Sequence, residues 1–211
     1  SVKPTHSGLR PPRAAYLKRY AQGHEYLSSE AVPDDAVPAC EVLRRSIQHL
    51  CVADHQNDEG ALGAWLANKT PENVCAWFTS SQTYCVVGVG ESGVCGLAMV
   101  GRDGTVRLCY VVPEVQHLGV GKAMLTAIEA QVASWGLKST QLESTLSAKS
   151  FYERNGYSSA GEPVVVFAAQ RAFPMRKAIA HNPAAHADAR ASGSALLGSA
   201  GARPWLLRYT S

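Results

Sequence analysis

Gln116, His117, Leu118, Gly119, Val120, Gly121, Lys122 and Ala123 stand where an apolar strand pattern at 108–112 gives way to an amphipathic helix pattern. Glycines at such a junction remove the Cβ atoms that would keep a ligand off the backbone. A helix start adds unpaired N–H groups and the positive end of its dipole. The chemistry on offer is anion binding, with a phosphate or pyrophosphate as the natural guest. Spacing excludes two kinds of phosphate site. A P-loop needs glycine where Gln116 stands and a hydroxyl where Ala123 stands. A dinucleotide fingerprint counted from Gly119 puts Met124 at the position of closest helix–strand packing. Residues 88–93 match G-x-G-x-x-G letter for letter, but the apolar run at 94–100 follows them, so they read as a hairpin turn.

Gln116-x-x-Gly119-x-Gly121 is similar to the Q/R-x-x-G-x-G/A pyrophosphate loop of the GNAT superfamily of N-acetyltransferases. A second block, Ala148-x-x-Phe151-Tyr152-x-x-x-Gly156-Tyr157, resembles that superfamily's A-x-x-F-Y-x-x-x-G-F/Y segment, one helix and one strand downstream. The resemblance extends over about residues 25–179. It implies an α/β (mixed α+β) GNAT fold: a central mixed, mostly antiparallel sheet with two splayed parallel strands, flanked by helices. It further implies acetyl-CoA as co-substrate, its pantetheine arm in the gap between the splayed strands. The implied reaction is direct attack by a primary amine, of a small molecule or a protein, on the thioester in a ternary complex.

Carried over residue by residue, the resemblance puts Gln116 to Ala123 on the pyrophosphate and Tyr110, Val111 and Val112 on the pantetheine. An N–H near Val111 or Val112 would polarise the carbonyl. Tyr152 would protonate the leaving thiolate, with Phe151 beside it facing the core. Thr145, with Ser147 nearby, stands where relatives often carry an asparagine that contacts pantetheine. Many relatives hold their general base on the strand before the loop, but Arg107, Leu108, Cys109 and Tyr110 include no carboxylate. Glu143, on the following strand, is the first substitute; Asp54, His55 and Asp58 are the others. Two other functions stay open: an acyl-CoA-binding regulatory module without turnover, and a GNAT-type toxin acetylating aminoacyl-tRNA. The toxin reading needs a basic groove, and the basic residues cluster mostly in the N-terminal arm.

The elements that must position these residues follow from periodicity and caps. A strand over 26–31 precedes a helix capped by Asp34 or Asp35 and carrying Val42, Leu43, Ile47, Leu50 and Cys51. Leu62, Trp65 and Leu66 mark a second helical region. Thr70 with Pro71 starts a third, carrying Val74, Cys75, Trp77 and Phe78. Strands over 83–87, 94–100 and 105–112 form a meander, with Asp103-Gly104 as its second turn. After the loop, Leu125, Ile128, Val132 and Trp135 recur at helical spacing until Gly136. A strand over 138–144, a short helix over 150–155 and strands over 164–168 and 173–178 complete the pattern.

At 211 residues and 46% hydrophobic, the chain can bury one core. The organisation expected is a basic, flexible arm at 1–24, the acetyltransferase domain at 25–179 and an Ala/Gly/Ser-rich, flexible tail at 180–211. His181 and His186 lack the ligand cluster a metal needs, so no metal is expected. Six cysteines without a C-x-x-C pair read as free thiols in a reducing compartment, consistent with a cytoplasmic protein. No run suits a bilayer. A formal charge of +3 does not argue for nucleic acid. The partner expected is the amine acceptor, with no membrane, nucleic acid not favoured and a homodimer left open. Asp54, Asp58 and Glu59 would suit a cationic acceptor if they line the pocket; Trp65, Trp77 and Phe173 would suit an apolar one.

Overall fold

The computed structural model describes residues 15–21, 24–166 and 171–179, with side chains from Glu25 onward. The tail, with His181 and His186, and the first fourteen residues of the arm lie outside the described residues. The inner part of the arm is a strand: β1 (Ala15–Ala21) pairs antiparallel with β2 (His24–Glu30), so the sheet begins before residue 25.

Asp35 closes the turn after β2, its carboxylate accepting from Val32 N–H at 3.1 Å, and α1 (Ala36–Leu50) follows. One stripe of α1, with Ala39, Cys40, Val42, Leu43 and Ile47, is buried, as its periodicity requires. Then come α2 (Val52–His55), α3 (Glu59–Leu66) and α4 (Pro71–Thr79). Asp58 and Thr70 cap the last two, accepting from Ala61 N–H at 2.7 Å and Asn73 N–H at 3.3 Å.

Strands β3 (Thr83–Gly90), β4 (Gly93–Gly101) and β5 (Val106–Val111) form the expected meander. Gly90 pairs with Gly93 across a tight turn, so residues 88–93 are a hairpin and hold no dinucleotide. A single antiparallel sheet runs β1-β2-β3-β4-β5. On one face lies α5 (Val120–Ser134), whose Val120, Met124, Leu125, Ile128 and Val132 pack with Val86, Ala98 and Val100. On the other, α1 and α4 bury Leu43, Val74 and Trp77 with Val87, Leu97, Met99 and Leu108. Gly96 lets α5 sit close, since a Cβ there would come within 2.6 Å of Met124 Cε.

The chain continues through β6 (Ser139–Ser144), α6 (Leu146–Arg154), β7 (Ser158–Ser159), β8 (Val164–Val165) and β9 (Arg171–Ala178). A second antiparallel sheet orders them β6-β9-β7, with β8 also on β9. The two sheets meet at one parallel bridge, Thr105 with Gln141, supported by Gln141 N–H to Gly104 O at 3.2 Å. Beyond that bridge β5 and β6 diverge. Helix α6 starts four residues earlier than its pattern suggests, because Thr145 caps it by accepting from Ala148 N–H at 3.2 Å.

Candidate active site

A cleft of about 500 Å³ opens where β5 and β6 part. Its walls are β5, β6, the start of α5, one side of α6 and the ends of α1 and α2.

The loop that closes one end is built as a nest of donors. His117 (φ 65°) and Gly119 (φ 85°) both adopt the left-handed conformation, which glycine takes freely and histidine rarely. The first bond of α5 runs from Ala123 N–H to Gly119 O at 2.9 Å. The N–H groups of Val120, Gly121 and Lys122 therefore have no partner within the helix. A Cβ on Gly119 would meet nothing within 4 Å, and one on Gly121 only Phe151 at 3.5 Å and Val111 at 3.8 Å. Protein packing leaves room for a small residue at 121, in keeping with the G/A position of the loop pattern.

Among the loop residues, Gln116, His117, Gly119, Gly121 and Lys122 line the cleft. Val120 is buried in the core and offers only its N–H. Ala123 is buried too, with its N–H spent, and Leu118 N–H donates to Val115 O at 3.2 Å. Neither Ala123 nor Leu118 can serve a phosphate as the loop pattern suggested.

On β5 the two candidate donors separate. Val112 N–H donates to Cys95 O at 3.0 Å, so it is unavailable. Alternation along an antiparallel ladder then turns the Val111 N–H the other way, into the gap toward β6. Tyr110 also lines the cleft and packs against Trp65. Burial holds that phenol well above the usual tyrosine range.

Tyr152, on α6, is 6% exposed and still reaches the cleft. Its ring meets Phe151 and Tyr157 edge to face, with centroids 5.1 and 5.5 Å away. Burial, reinforced by neighbouring Cys109 and Tyr110, raises its pKa well above 10, so it remains an O–H donor. Phe151 is only partly buried and lines the cleft beside Gly121; it does not point wholly into the core as expected.

Leu142 packs into the core beneath α5, so strand alternation turns Glu143 to the other face, toward α1 and α2. Glu143 is half-buried and lines the cleft, and its enclosed Oε2 has no hydrogen-bond partner. The other candidate bases have structural tasks. Both nitrogens of His55 are used, Nε2 against Ile47 O and Nδ1 accepting from Asn57 N–H, each at 3.1 Å. Asp58 caps α3. Asp54 lines the cleft but accepts from Leu146 N–H (2.7 Å), Ser147 N–H (3.2 Å) and Ser147 Oγ (2.5 Å) at the start of α6. Ser147 therefore spends its hydroxyl proton on Asp54, and Thr145 retains its own while capping α6. The Asp54 bond was not legible in the sequence, because its partners lie 92 residues away.

Cys51 and Cys109 also line the cleft. Burial pushes both thiols up to about 12, which makes them poor nucleophiles at neutral pH. Among the described residues no group of histidine, cysteine and acidic side chains could hold a metal ion, and no helix is long and apolar enough to cross a membrane.

A nest of N–H groups without helix partners, a V-shaped gap between strands, a phenol and a carboxylate with an open oxygen line one cleft. The family model described as an acetyltransferase (GNAT) domain matches residues 52–179. This chain belongs to the GNAT family. It is an acyltransferase of the N-acetyltransferase type, and acetyl-CoA is its co-substrate. The donor nest and the bare Gly121 fit that co-substrate. No curated protein sequence matches the chain. Among solved structures, a GCN5-related N-acetyltransferase from Rhodopseudomonas palustris aligns with a TM-score of 0.64 at 18% identity, covering 77% of this chain and 98% of that one. The PaiA N-acetyltransferase of Thermoplasma acidophilum, solved with coenzyme A, gives 0.58 at 19% identity over 72% of this chain and 98% of that one. The ribosomal-protein-S18-alanine N-acetyltransferase of Escherichia coli gives 0.55 at 16%, over 73% and 94%. These likenesses show the GNAT fold, a mixed α/β layer with splayed strands.

Proposed function

We propose that this GNAT protein acetylates a primary amine by direct attack in a ternary complex, with Glu143 as the base and Tyr152 as the acid. Acetyl-CoA supplies an activated thioester, which the amine attacks to form an amide while the C–S bond breaks and the thiolate leaves. The observation that carries the reading is Glu143: a carboxylate in the cleft with one enclosed oxygen unpartnered. A base must accept a proton from the ammonium or the attacking amine, directly or through water, and Glu143 has an acceptor free for it.

Three further groups support the same reaction. The Val111 N–H, directed toward the gap, suits donation to the carbonyl oxygen as charge builds there. Tyr152, kept protonated by burial, suits delivery of a proton to the leaving sulfur. The N–H groups of Val120, Gly121 and Lys122, with the Lys122 ammonium, suit the pyrophosphate. Cys51 and Cys109, held as thiols, argue against an acetyl group parked on the protein, and so for direct transfer.

The test is titration calorimetry with acetyl-CoA and coenzyme A, followed by thiol release over an amine panel for wild type and Glu143→Gln. The expected result is acetyl-CoA binding by both proteins, turnover by wild type and a kcat lower by about 10²-fold or more in the variant. Acetyl-CoA binding without thiol release for any amine would leave a binding module in place of an enzyme. Full activity of Glu143→Gln would remove Glu143 as the base.

A further inference from the structure

Building on that transfer reading, we infer that the acceptor is a compact amine with a single ammonium group on an apolar body, and that polycationic amines are rejected. The end of the cleft nearest α1 to α3 carries Leu50, Cys51, Trp65 and Tyr110. Trp65 is 4% exposed and packs with Tyr110, so this end of the cleft is walled by aromatic and aliphatic side chains. The acceptor shares about 500 Å³ with the pantetheine arm, which leaves room for a compact body.

Charge decides the rest. A site for polyamines or aminoglycosides needs several open carboxylates spaced like the ammonium groups. Asp54, Asp58 and Glu59 are placed by sequence to supply them, and none does. Asp54 has both oxygens occupied by the start of α6, and Asp58 and Glu59 do not line the cleft. Glu143 is the one lining carboxylate with an oxygen left open. Residues 167–170, next to the cleft in sequence, are Phe, Ala, Ala and Gln, and the only acid in the stretches outside the described residues is Asp188. Against this single open anion stand Arg154 and Arg171, while Arg107 pairs with Asp103 at 3.5 Å and Lys122 lies at the pyrophosphate loop. One ammonium finds Glu143; a second finds cations and an aromatic wall. Like charges within a few ångströms of one another in a partly desolvated cleft are strongly disfavoured.

The experiment compares hexylamine with 1,6-hexanediamine, which differ by one ammonium, and adds 2-phenylethylamine, spermidine and an alanine dipeptide amide. Thiol release on the full-length protein gives kcat/KM for each at saturating acetyl-CoA. Hexylamine is expected to exceed 1,6-hexanediamine, and 2-phenylethylamine to exceed spermidine, by at least tenfold. Leu50→Glu, which adds a second carboxylate to the wall, is expected to shrink the hexylamine preference by tenfold or more. Equal or better turnover of the diamine or spermidine by wild type would overturn the inference and leave acetyl transfer standing, as would a dipeptide amide outpacing both apolar amines. Acetyl-CoA binding with no amine acetylated would instead remove the transfer reading beneath it. The wild-type comparison decides the question even where Leu50→Glu fails to fold.

Discussion

Replacing Asp54 by alanine should separate the holding of α6 from the chemistry of the cleft. Asp54 reaches from α2 to the first turn of α6, taking the Leu146 and Ser147 N–H groups and the Ser147 hydroxyl at 2.7, 3.2 and 2.5 Å. Loss of a helix cap costs about 0.5–2 kcal/mol. Three bonds to one carboxylate argue for the upper part of that range, while solvent access to α6's first turn lets water replace some of them. The expected loss of stability is about 1.5 kcal/mol, read as a lower denaturant midpoint at unchanged slope. Tyr152, the proposed acid, sits on the same short helix, and small displacements of such a group cost up to about 10²-fold in rate. At 25 °C, where the variant stays folded, kcat should fall about tenfold with KM for the amine little changed. Asp54→Asn, which keeps one acceptor oxygen, should recover part of both losses. Unchanged stability with a lost acid limb of the pH–rate profile would make Asp54 the base and refute its holding role. Lower stability with wild-type kcat would show that α6 does not need the contact to present Tyr152.

Tyr152→Phe should lower kcat by about 10²-fold or more while acetyl-CoA still binds. Because the phenol is raised well above 10, wild-type kcat should show no Tyr152-dependent fall up to pH 10, and a drop between pH 8 and 10 that Tyr152→Phe abolishes would contradict its environment. Gly121→Leu would put its branch against Phe151, whose ring lies 3.5 Å from the added Cβ, and into the cleft. Its affinity for acetyl-CoA should fall at least tenfold by calorimetry. Lys69 is buried, and burial lowers its ammonium to about 8 from 10.5, an order-of-magnitude cost of about 3 kcal/mol. The unfolded chain binds the proton more tightly, so the cost is full below pH 8 and disappears as pH rises through 10.5; Lys69→Met should raise stability at pH 7 and lose that advantage by pH 10.5 in denaturant titrations.

What was legible in the sequence was local. Thr70-Pro71 and the Gly119/Gly121 pair announce elements through backbone chemistry that operates within a few residues, and the helix and strand periods reported the buried faces. The meander, α5 and the loop were readable for that reason. What escaped was set by contacts distant along the chain. β1 lies in a basic stretch whose pattern gives no strand signal, and it is held by pairing with β2. The early start of α6 needs Thr145, a weak cap by itself, together with Asp54 from 92 residues upstream. Likewise Val111 and Val112 are equivalent apolar letters until the Cys95 carbonyl takes one N–H and leaves the other.

The same distinction governs how acceptor and donor sides of the cleft communicate. α1 and α2 border the end of the cleft proposed for the acceptor, whereas α6 lines the part proposed for the thioester and carries Tyr152. Arg45 pairs with Glu114 in the turn before the loop, and Asp54 holds α6, so both helical elements of the proposed acceptor wall are tied to the elements proposed to meet acetyl-CoA. Neither tie is a side-chain pair within one element, so each is lost if α1 and α2 shift relative to the sheet. A substrate that filled the apolar wall would resist such a shift, and it would thereby hold Tyr152 and the loop in place. On this argument the double substitution Arg45→Ala/Asp54→Ala should lose more kcat than the product of the single losses, because either remaining tie still orients the wall. Strictly multiplicative losses would mean that the two ties act on independent parts of the site.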